Sequence, residues 1–442
     1  MSETRYIAAF EIASSKIKGA VASVDSVTGK MSVIAIEEER ANDIVHYGCV
    51  RKPADVYSHI VSIRRKLEEN PKIAPNKIKT ALISLSGHTL RSTVKSAEKK
   101  FTEETKITEE IIRDIRREIG EDGVRDKEVV KVLLRDFVVD GTLQQNPVGI
   151  FCNSISASMN VVYCNPQLKI NLARVFENQS ADEENVLQVQ KYPILPIALA
   201  SHVLTDEEKK LGCMLVDFGA ETTTVSIYKN ERLRYLVTLP LGSRNITRDI
   251  MILRSCLEST AEELKKAVGN IDPEQKASNS ENEEVNNYIY ARASEIVANI
   301  NEQLTYAGLK AEDLPCGIII AGGGSKLVGF NSLLSQQTGL KIRTAEPAAD
   351  IEICDKTLRP SDHVDIIALL AHAEKLKVKT SMLAVPEEKP AEEQNDKSRI
   401  GEEENVSLDE EEDEKPDKPR KANTRSILDR LKDLLSDNDP ED

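Results

Sequence analysis

The stretch that decides the fold is residues 211–239, which read LGCMLVDFGAETTTVSIYKNERLRYLVTL. Two apolar runs, Leu211–Asp217 and Thr224–Tyr228, flank the small and polar turn Phe218–Thr223, and a third run follows at Arg232–Leu239. Short apolar runs separated by turn residues predict antiparallel strands joined by tight turns. The stretch is therefore interpreted as a three-stranded β-meander.

Residues 6–36, YIAAFEIASSKIKGAVASVDSVTGKMSVIAI, repeat the same order of strand, turn, strand, turn and strand. Glu11 ends the first strand of this copy, as Asp217 does in the later one, and small or hydroxyl residues follow both acids. Self-similarity of this kind predicts two related halves. Chance likeness of two ordinary meanders is the alternative.

The rest of the first 385 residues mixes helical and strand patterns. Apolar residues at helical spacing predict helices over 53–69, 281–310 and 361–377, and residues 87–164 predict a small inserted α+β unit. The fold class is therefore α/β, with two lobes of related topology around a cleft.

Both meanders carry a turn that suits a phosphate group. Phosphate binding needs backbone N–H donors, hydroxyls and positive charge, and small residues let the backbone approach. For each turn alone, an ordinary hairpin turn is the alternative. The candidate donors are Ser14, Ser15, Lys16, Gly219, Thr222 and Thr223.

Two further segments fit a nucleotide. The loop Gly322–Ser325, which includes Gly323 and Gly324, lies between an apolar strand and a helical pattern, an arrangement that faces phosphates in many proteins. Glu262 and Lys265 share one face of a predicted helix and are candidates to hold a ribose and an adenine, although an ordinary solvated helix face gives the same pattern. Glu11 and Asp217 would hold Mg²⁺, mainly through water molecules.

The order of these four segments resembles the actin-like (RNase H-like) ATPase superfamily, and within it the FtsA family of bacterial division proteins. The resemblance also rests on FVVDGTLQQNPVG at residues 137–149, on LASHVLTDEEK at 199–209 and on Leu239–Ile250. It implies ATP and Mg²⁺ as cofactors. Two departures from the family pattern, at Ala13 and Glu221, favour ATP binding with at most slow ATP hydrolysis. The resemblance also implies self-assembly into filaments and recruitment of FtsZ, through the C-terminal tail of FtsZ, to the cytoplasmic face of the inner membrane at the division septum.

Two residues depart from the family pattern: Ala13 stands where the first turn usually has glycine, and Glu221 where the second turn has its second glycine. Glu221 would bring a carboxylate to the triphosphate and weaken binding or hydrolysis, unless it points away or meets the metal.

The resemblance also divides the chain into units. The implied units are 1–86 and 165–205 (first lobe, 1A), 87–164 (inserted unit, like 1C), 206–250 and 311–385 (second lobe, 2A), 251–310 (2B), 386–425 (disordered acidic linker) and 426–436 (amphipathic helix).

Two segments are implied to contact partners. Arg292 matches a family position in the subdomain that binds the FtsZ tail, and an ordinary surface arginine is the alternative. In the acidic C-terminal region, five apolar residues form one stripe of a short helix beside basic residues, which suits anionic lipid. Docking on a protein is the alternative for this helix. The stripe consists of Ile427, Leu428, Leu431, Leu434 and Leu435.

Composition narrows the remaining classes. The chain of 442 residues has a net charge of −15, only 4% aromatic residues and seven cysteines without a CxxC pair. An acidic chain of this kind does not predict nucleic-acid binding, and an odd number of scattered cysteines favours a reducing compartment. A small-molecule kinase or an Hsp70-like chaperone on the same fold are the rival functions.

Overall fold

A computed structural model describes residues 4–41, 43–177, 186–272 and 280–383. The predicted linker and the predicted membrane-binding helix therefore lie outside the described residues. The predicted helices are observed as Pro53–Glu68, Ser280–Tyr306 and Val364–Lys375.

Strands and helices alternate as an α/β chain should. The strands are β1 Thr4–Ile12, β2 Lys16–Asp25, β3 Met31–Arg40, β4 Val45–His46, β5 Cys49–Val50, β6 Lys77–Ile78, β7 Thr80–Ile83, β8 Arg91–Lys106, β9 Glu128–Val139, β10 Thr142–Gln144, β11 Phe151–Cys164, β12 Gln188–Lys191, β13 Cys213–Phe218, β14 Thr223–Lys229, β15 Arg232–Leu239, β16 Ile318–Ala321, β17 Ile342–Thr344, β18 Glu352–Ile353 and β19 Met382–Leu383. The helices are α1 Pro53–Glu68, α2 Glu109–Asp122, α3 Pro166–Arg174, α4 Leu195–Val203, α5 Asp206–Leu211, α6 Ser243–Arg254, α7 Glu258–Val268, α8 Ser280–Tyr306, α9 Phe330–Thr338 and α10 Val364–Lys375.

The first lobe is built on a six-stranded sheet in the order β12-β7-β1-β2-β3-β18. Its centre is the predicted meander β1-β2-β3, in which Glu11 lies opposite Lys18 across the first hairpin. Helix α1 buries Val56, Ile60 and Leu67 completely against one face of the sheet. Full burial of a large aliphatic side chain contributes about 1.5–3 kcal/mol, so this stripe holds α1 in place. Helices α4 and α10 pack on the other face.

The second lobe is built on β15-β14-β13-β16-β17, which contains the second meander. Its core joins this sheet to α6, α8 and α9. The sheet continues past β15 into the inserted unit, through one bridge between Val237 and Arg91 of β8, and the whole nine-stranded order is β10-β9-β11-β8-β15-β14-β13-β16-β17.

The inserted unit has its own core, in which Ile115 and Ile119 of α2 pack on β9 and β11. Thr108 caps α2 by accepting a hydrogen bond from the backbone N–H of Ile111, a role for which threonine is one of the preferred residues. The buried Lys169 of α3 reaches Glu128 of β9 at 2.7 Å, which ties the unit to the first lobe as well.

The predicted assignment of residues 311–385 to the second lobe is wrong for its last part. Strand β18 pairs with β3, and α10 packs on β1 and α4 of the first lobe. The reason is that Ile366, Leu369 and Leu370 of α10 complete the apolar layer over the first sheet, which α4 alone leaves open. The chain thus returns to the first lobe after β17.

Candidate functional site: a cleft between the two meanders

A cleft of about 640 Å³ lies between the two lobes. The turns that follow β1 and β13 reach it from opposite sides, because each meander presents the end of its first strand to the other lobe. The loop after β16 and one face of α7 complete the lining. The predicted residues that line the cleft are Glu11, Ser14, Ser15, Lys16, Asp217, Gly219, Thr222, Glu262, Lys265, Gly322, Gly323 and Gly324.

The first turn is closed by a hydrogen bond from Ala13 N to Lys16 O of 3.1 Å. The Ser14 hydroxyl accepts a hydrogen bond from Gly48 N at 2.9 Å, while Ser15 is exposed. The Lys16 ammonium pairs with Glu38 of β3 at the rim of the cleft. The turn therefore offers hydroxyls and a cation from its own residues.

The second turn is closed by Gly219 N, which donates to Thr222 O at 2.9 Å. Thr222 lines the cleft, but Thr223 does not: its hydroxyl donates to Leu241 O at 2.7 Å and its side chain is fully buried. Successive side chains of a strand point to opposite faces, so Thr224 lines the cleft in place of Thr223. The prediction of Thr223 as a phosphate donor is therefore wrong.

Four charged side chains meet at the base of the cleft. Glu11 Oε2 lies 3.5 Å from Lys18 Nζ, and Asp217 and Asp365 line the same space. Burial and the charge of Glu11 raise the pKa of Asp217 to about 7, although the positive charge of Lys18 partly offsets them. Burial, Asp217 and Glu11 likewise raise the pKa of Asp365 well above its usual value. Burial alone would lower the pKa of Lys18, but the neighbouring carboxylates raise it overall.

This cluster suits a divalent cation only with outside ligands. Within the described residues, Glu11 Oε2 and Asp365 Oδ1 are buried and make no hydrogen bond, so the cluster has carboxylate oxygens that can contact a cation. Among the described residues, however, no group of three acidic, histidine or cysteine side chains could hold a metal by itself. Mg²⁺ keeps most of its water and takes one or two carboxylates together with phosphate oxygens, so Glu11 and Asp217 fit it in that manner.

The glycine loop approaches the second turn closely. Gly322 has φ +86°, and a Cβ there would lie 2.4 Å from Phe218 O and 2.7 Å from Asp217 Oδ1. Only glycine accepts both conditions without strain. Ser325 was predicted beside the phosphates, but its hydroxyl donates to Gly322 O at 2.7 Å inside a short 3₁₀ turn, and it is absent from the cleft lining.

Glu262 and Lys265 lie on one face of α7, as predicted, and their charged ends are 2.6 Å apart. Thr247 of α6 donates to Glu262 Oε2 at 2.6 Å, and Lys265 Nζ donates to Thr247 Oγ1 at 2.9 Å. Burial lowers the pKa of Lys265, although Glu262 partly offsets this. The pair therefore forms a polar wall that α6 and α7 build together.

Glu221 does not face the phosphate end of the cleft with a free carboxylate. Its side chain is 1% exposed and accepts hydrogen bonds from Arg244 at 2.9 Å and Arg248 at 3.2 Å. Tyr47 N, from the first lobe, also donates to it at 2.7 Å. Burial would raise the pKa of Glu221, but these donors lower it overall. Glu221 therefore lines the cleft with a carboxylate that is already paired with groups of both lobes.

Arg292 lies on α8, outside the cleft. Its guanidinium makes two hydrogen bonds to Asp249 of α6, of 2.7 and 3.0 Å, and a third contact to Glu295. The large hydrophobic side chains exposed on the same subdomain include Ile252 near the end of α6 and Leu257 just before α7.

Comparison with known proteins decides the family. A family model described as "Cell division protein FtsA" matches residues 214–361, and one described as "SHS2 domain inserted in FTSA" matches residues 87–163. The cell division protein FtsA of Porphyromonas gingivalis strain W83 is 31% identical over 356 residues, which cover 76% of this chain and 72% of that protein. This chain belongs to the FtsA family.

A second FtsA, from Bacillus subtilis strain 168, is 25% identical over 315 residues, which cover 66% of this chain and 69% of that protein. Among solved structures, the PilM-PilN type IV pilus biogenesis complex superposes with a TM-score of 0.58 at 16% identity, covering 83% of this chain and 98% of that chain. The predicted α/β fold, with two actin-like lobes and an inserted α+β unit, is thereby confirmed.

Residues that build the cleft of this FtsA-family chain but were not predicted from its sequence include Lys18 and Asp365. Lys18 could have been predicted from the sequence, because a hairpin that turns at residues 13–16 places it opposite Glu11 on the neighbouring strand. Asp365 gave no sequence signal, because 148 residues separate it from Asp217 and only the return of the chain to the first lobe brings it there. None of the described helices is long and apolar enough to cross a membrane.

Proposed function

We propose that this chain binds ATP with Mg²⁺ in the cleft, assembles into filaments and tethers FtsZ to the cytoplasmic face of the inner membrane at the division septum. The observation that carries the nucleotide part is the convergence of two related turns, a glycine loop and the α6–α7 wall on one cleft of about 640 Å³. A mononucleotide needs a pocket in this range of size, with a few polar groups that fix its orientation.

Each part of the nucleotide meets suitable chemistry. Ser14, Ser15 and the backbone of Gly219 and Gly323 surround the phosphate end, and Glu262 with Lys265 bounds the opposite end. Bound Mg²⁺ would supply charge neutralisation for the triphosphate, held on the chain by Glu11 and Asp217. The chain's own residues orient the nucleotide and exclude water from its phosphates.

Replacing Asp217 with Ala tests the site. This change removes one of the two proposed metal ligands and should weaken Mg-ATP binding at least tenfold, measured by titration calorimetry, while circular dichroism stays unchanged. Asp114→Ala in the inserted unit is the matched control, since this acid is partly exposed and pairs with Lys99 and Arg117 at the surface. Equal ATP affinity in the two folded variants would refute the assignment.

FtsZ recruitment is proposed for the face formed by α6 and α8. Exposed Ile252 and Leu257 of the same subdomain supply the apolar anchors that a bound peptide needs, and Asp249 fixes the orientation of Arg292. Arg292→Glu should abolish binding of an FtsZ C-terminal tail peptide in fluorescence anisotropy. Arg125→Glu, at a side chain 96% exposed in the inserted unit, makes the same charge change far away and should bind normally.

Membrane attachment is proposed for residues 426–436, on the sequence pattern alone. One copy of a helix with five apolar side chains binds lipid weakly, so a filament that presents many copies should bind firmly. Leu431→Asp should release the protein from anionic vesicles in a sedimentation assay under ATP. Ser436→Asp adds the same charge on the opposite side of the helix and should leave binding intact. Normal pelleting of Leu431→Asp would favour docking on a protein instead.

The comparisons lend no support to a small-molecule kinase or an Hsp70-like chaperone. We expect slow ATP hydrolysis at most. Glu221, which was considered as the cause, is turned toward Arg244 and Arg248.

A further inference from the structure

Glu221 joins the two lobes directly. It belongs to the second turn, in the second lobe, yet its Oε2 accepts the backbone N–H of Tyr47 at 2.7 Å. Its Oε1 lies 3.6 Å from His46 Nδ1. Tyr47 and His46 belong to the small hairpin β4–β5 of the first lobe, which we call the clasp hairpin (residues 45–50). One buried carboxylate thus contacts both sides of the cleft.

Two arginines anchor this carboxylate in its own lobe. Arg244 and Arg248, one turn apart on α6, both donate to Glu221 Oε1. Arg244 is further held by Glu258 at 2.8 Å. A buried carboxylate is stable only when it is paired and hydrogen-bonded, and here the second lobe supplies the charge while the first lobe supplies the backbone donor. If the lobes separated, Glu221 would lose its contacts with His46 and Tyr47 of the first lobe.

The clasp hairpin also contacts the first turn and the inserted unit. Gly48 N donates to the Ser14 hydroxyl at 2.9 Å, and His88 N donates to Tyr47 O at 2.9 Å. Consecutive residues of the hairpin, Tyr47 and Gly48, therefore bind one residue from each of the two turns. The hairpin lies where it can hold both turns at a fixed separation.

Helix α6 extends the connection. Besides Arg244 and Arg248 it carries Thr247, which binds the Glu262–Lys265 pair at the other end of the cleft. The second turn, the clasp hairpin and the α6–α7 wall thus form one continuous polar network around the cleft.

We propose that Glu221 is a positioning residue that clamps the second turn to the clasp hairpin and so holds the two lobes closed over the nucleotide. The clamp itself requires no ligand; only its effect on nucleotide retention rests on the proposed function. A cleft closed in this way releases its nucleotide slowly, because the lobes open only when the Glu221–Tyr47 contact breaks.

The test compares Glu221→Ala with Glu258→Ala. Both changes remove a carboxylate partner of Arg244, but only Glu221 reaches the other lobe. Hydrogen–deuterium exchange of the full-length, nucleotide-free protein should show residues 45–50 exchanging at least tenfold faster in Glu221→Ala, and unchanged in Glu258→Ala. Glu221→Gln keeps an acceptor for Tyr47 N but loses the charge, so its exchange rate at residues 45–50 should lie between those of the two alanine variants.

A second measurement follows release of a fluorescent ATP analogue by stopped flow, in which Glu221→Ala should release it at least tenfold faster than Glu258→Ala. Unchanged exchange at residues 45–50, or equal acceleration in both variants, would overturn the clamp. Faster exchange spread over β13 and β14 would do so too, since it would show loss of local structure. If the wild-type protein binds no ATP analogue, the proposed function fails while the exchange result still decides the clamp.

Discussion

The turn Ala13–Lys16 and the turn Gly219–Thr222 hold corresponding places in the two meanders, but their side chains make different connections. The first turn is small and hydroxyl-rich, and its cations, Lys16 and Lys18, come from its own hairpin. The second turn carries an acid, Glu221, whose countercharges come from helix α6. The comparison teaches that one strand pattern can present either positive charge for a ligand or a contact to the opposite lobe.

The same comparison extends to the acids that precede the turns. Glu11 forms an ion pair with Lys18 across the hairpin. Burial and the negative charge of Glu11 raise the pKa of Asp217 to about 7. The two acids are therefore expected to respond differently to substitution. Four substitutions in or beside the two turns test the comparison, and the one with the greatest expected effect comes first.

The largest effect is expected for Asp217→Asn. It should lower Mg-dependent ATP affinity at least tenfold and yet raise the melting temperature of the nucleotide-free protein at pH 8. A carboxyl whose folded pKa lies near 7 instead of 3.8 binds its proton more tightly when folded, so the free energy of unfolding falls as pH rises through this range. Asparagine does not titrate, so the Asp217→Asn protein should not lose this stability as the pH rises. Melting curves at pH 5 and pH 8 check the sign.

Glu11→Gln is the control for that change. Its carboxylate has Lys18 beside it, so the same neutralisation should not raise the melting temperature at pH 8. Equal stabilisation by both substitutions would mean that the two acids are equivalent, which would break the comparison.

The second effect is expected for Lys18→Met. Loss of this buried cation leaves the buried Glu11 without its ion-pair partner, and removing one member of a buried ion pair costs about 3–5 kcal/mol. The nucleotide-free protein should therefore melt at a clearly lower temperature. Lys16→Met removes a cation that pairs with Glu38 at the partly exposed rim, where a pair contributes about 0–1 kcal/mol, and should have little effect.

A smaller effect is expected for Ser14→Ala, which removes the acceptor for Gly48 N. The loss should be about 1 kcal/mol in the free energy of unfolding, the usual net contribution of one hydrogen bond. Exchange at Gly48 should rise with it. Urea unfolding monitored by circular dichroism measures the loss, and no change at Gly48 would show that the first turn is not tied to the clasp hairpin.

The smallest effect on ligand binding is expected for Thr223→Val. Its hydroxyl donates to Leu241 O behind the sheet, so stability should fall by about 1 kcal/mol while ATP affinity stays the same. Thr222→Val alters the face toward the cleft and should weaken ATP binding instead. Weaker ATP binding in Thr223→Val, with normal binding in Thr222→Val, would show that Thr223 and not Thr222 faces the nucleotide.

The sequence predicted local features well where one element decides them. The meanders, the cap of α2 by Thr108 and the apolar stripe of α1 all follow from short-range patterns. It failed where a single residue had to be placed on one face of a strand or in a turn. Thr223 and Ser325 carry the right hydroxyl group, but each donates to a nearby backbone carbonyl instead.

The two meanders, the acids that end their first strands and the glycine loop can be predicted from the sequence, because hydrophobic period and turn chemistry act over a few residues. The return of α10 to the first lobe with Asp365, and the contact of Glu221 with Tyr47 across the cleft, are seen only in the folded chain. These contacts join segments more than 140 residues apart, and the burial of apolar surface that brings such segments together leaves no periodic pattern in the sequence.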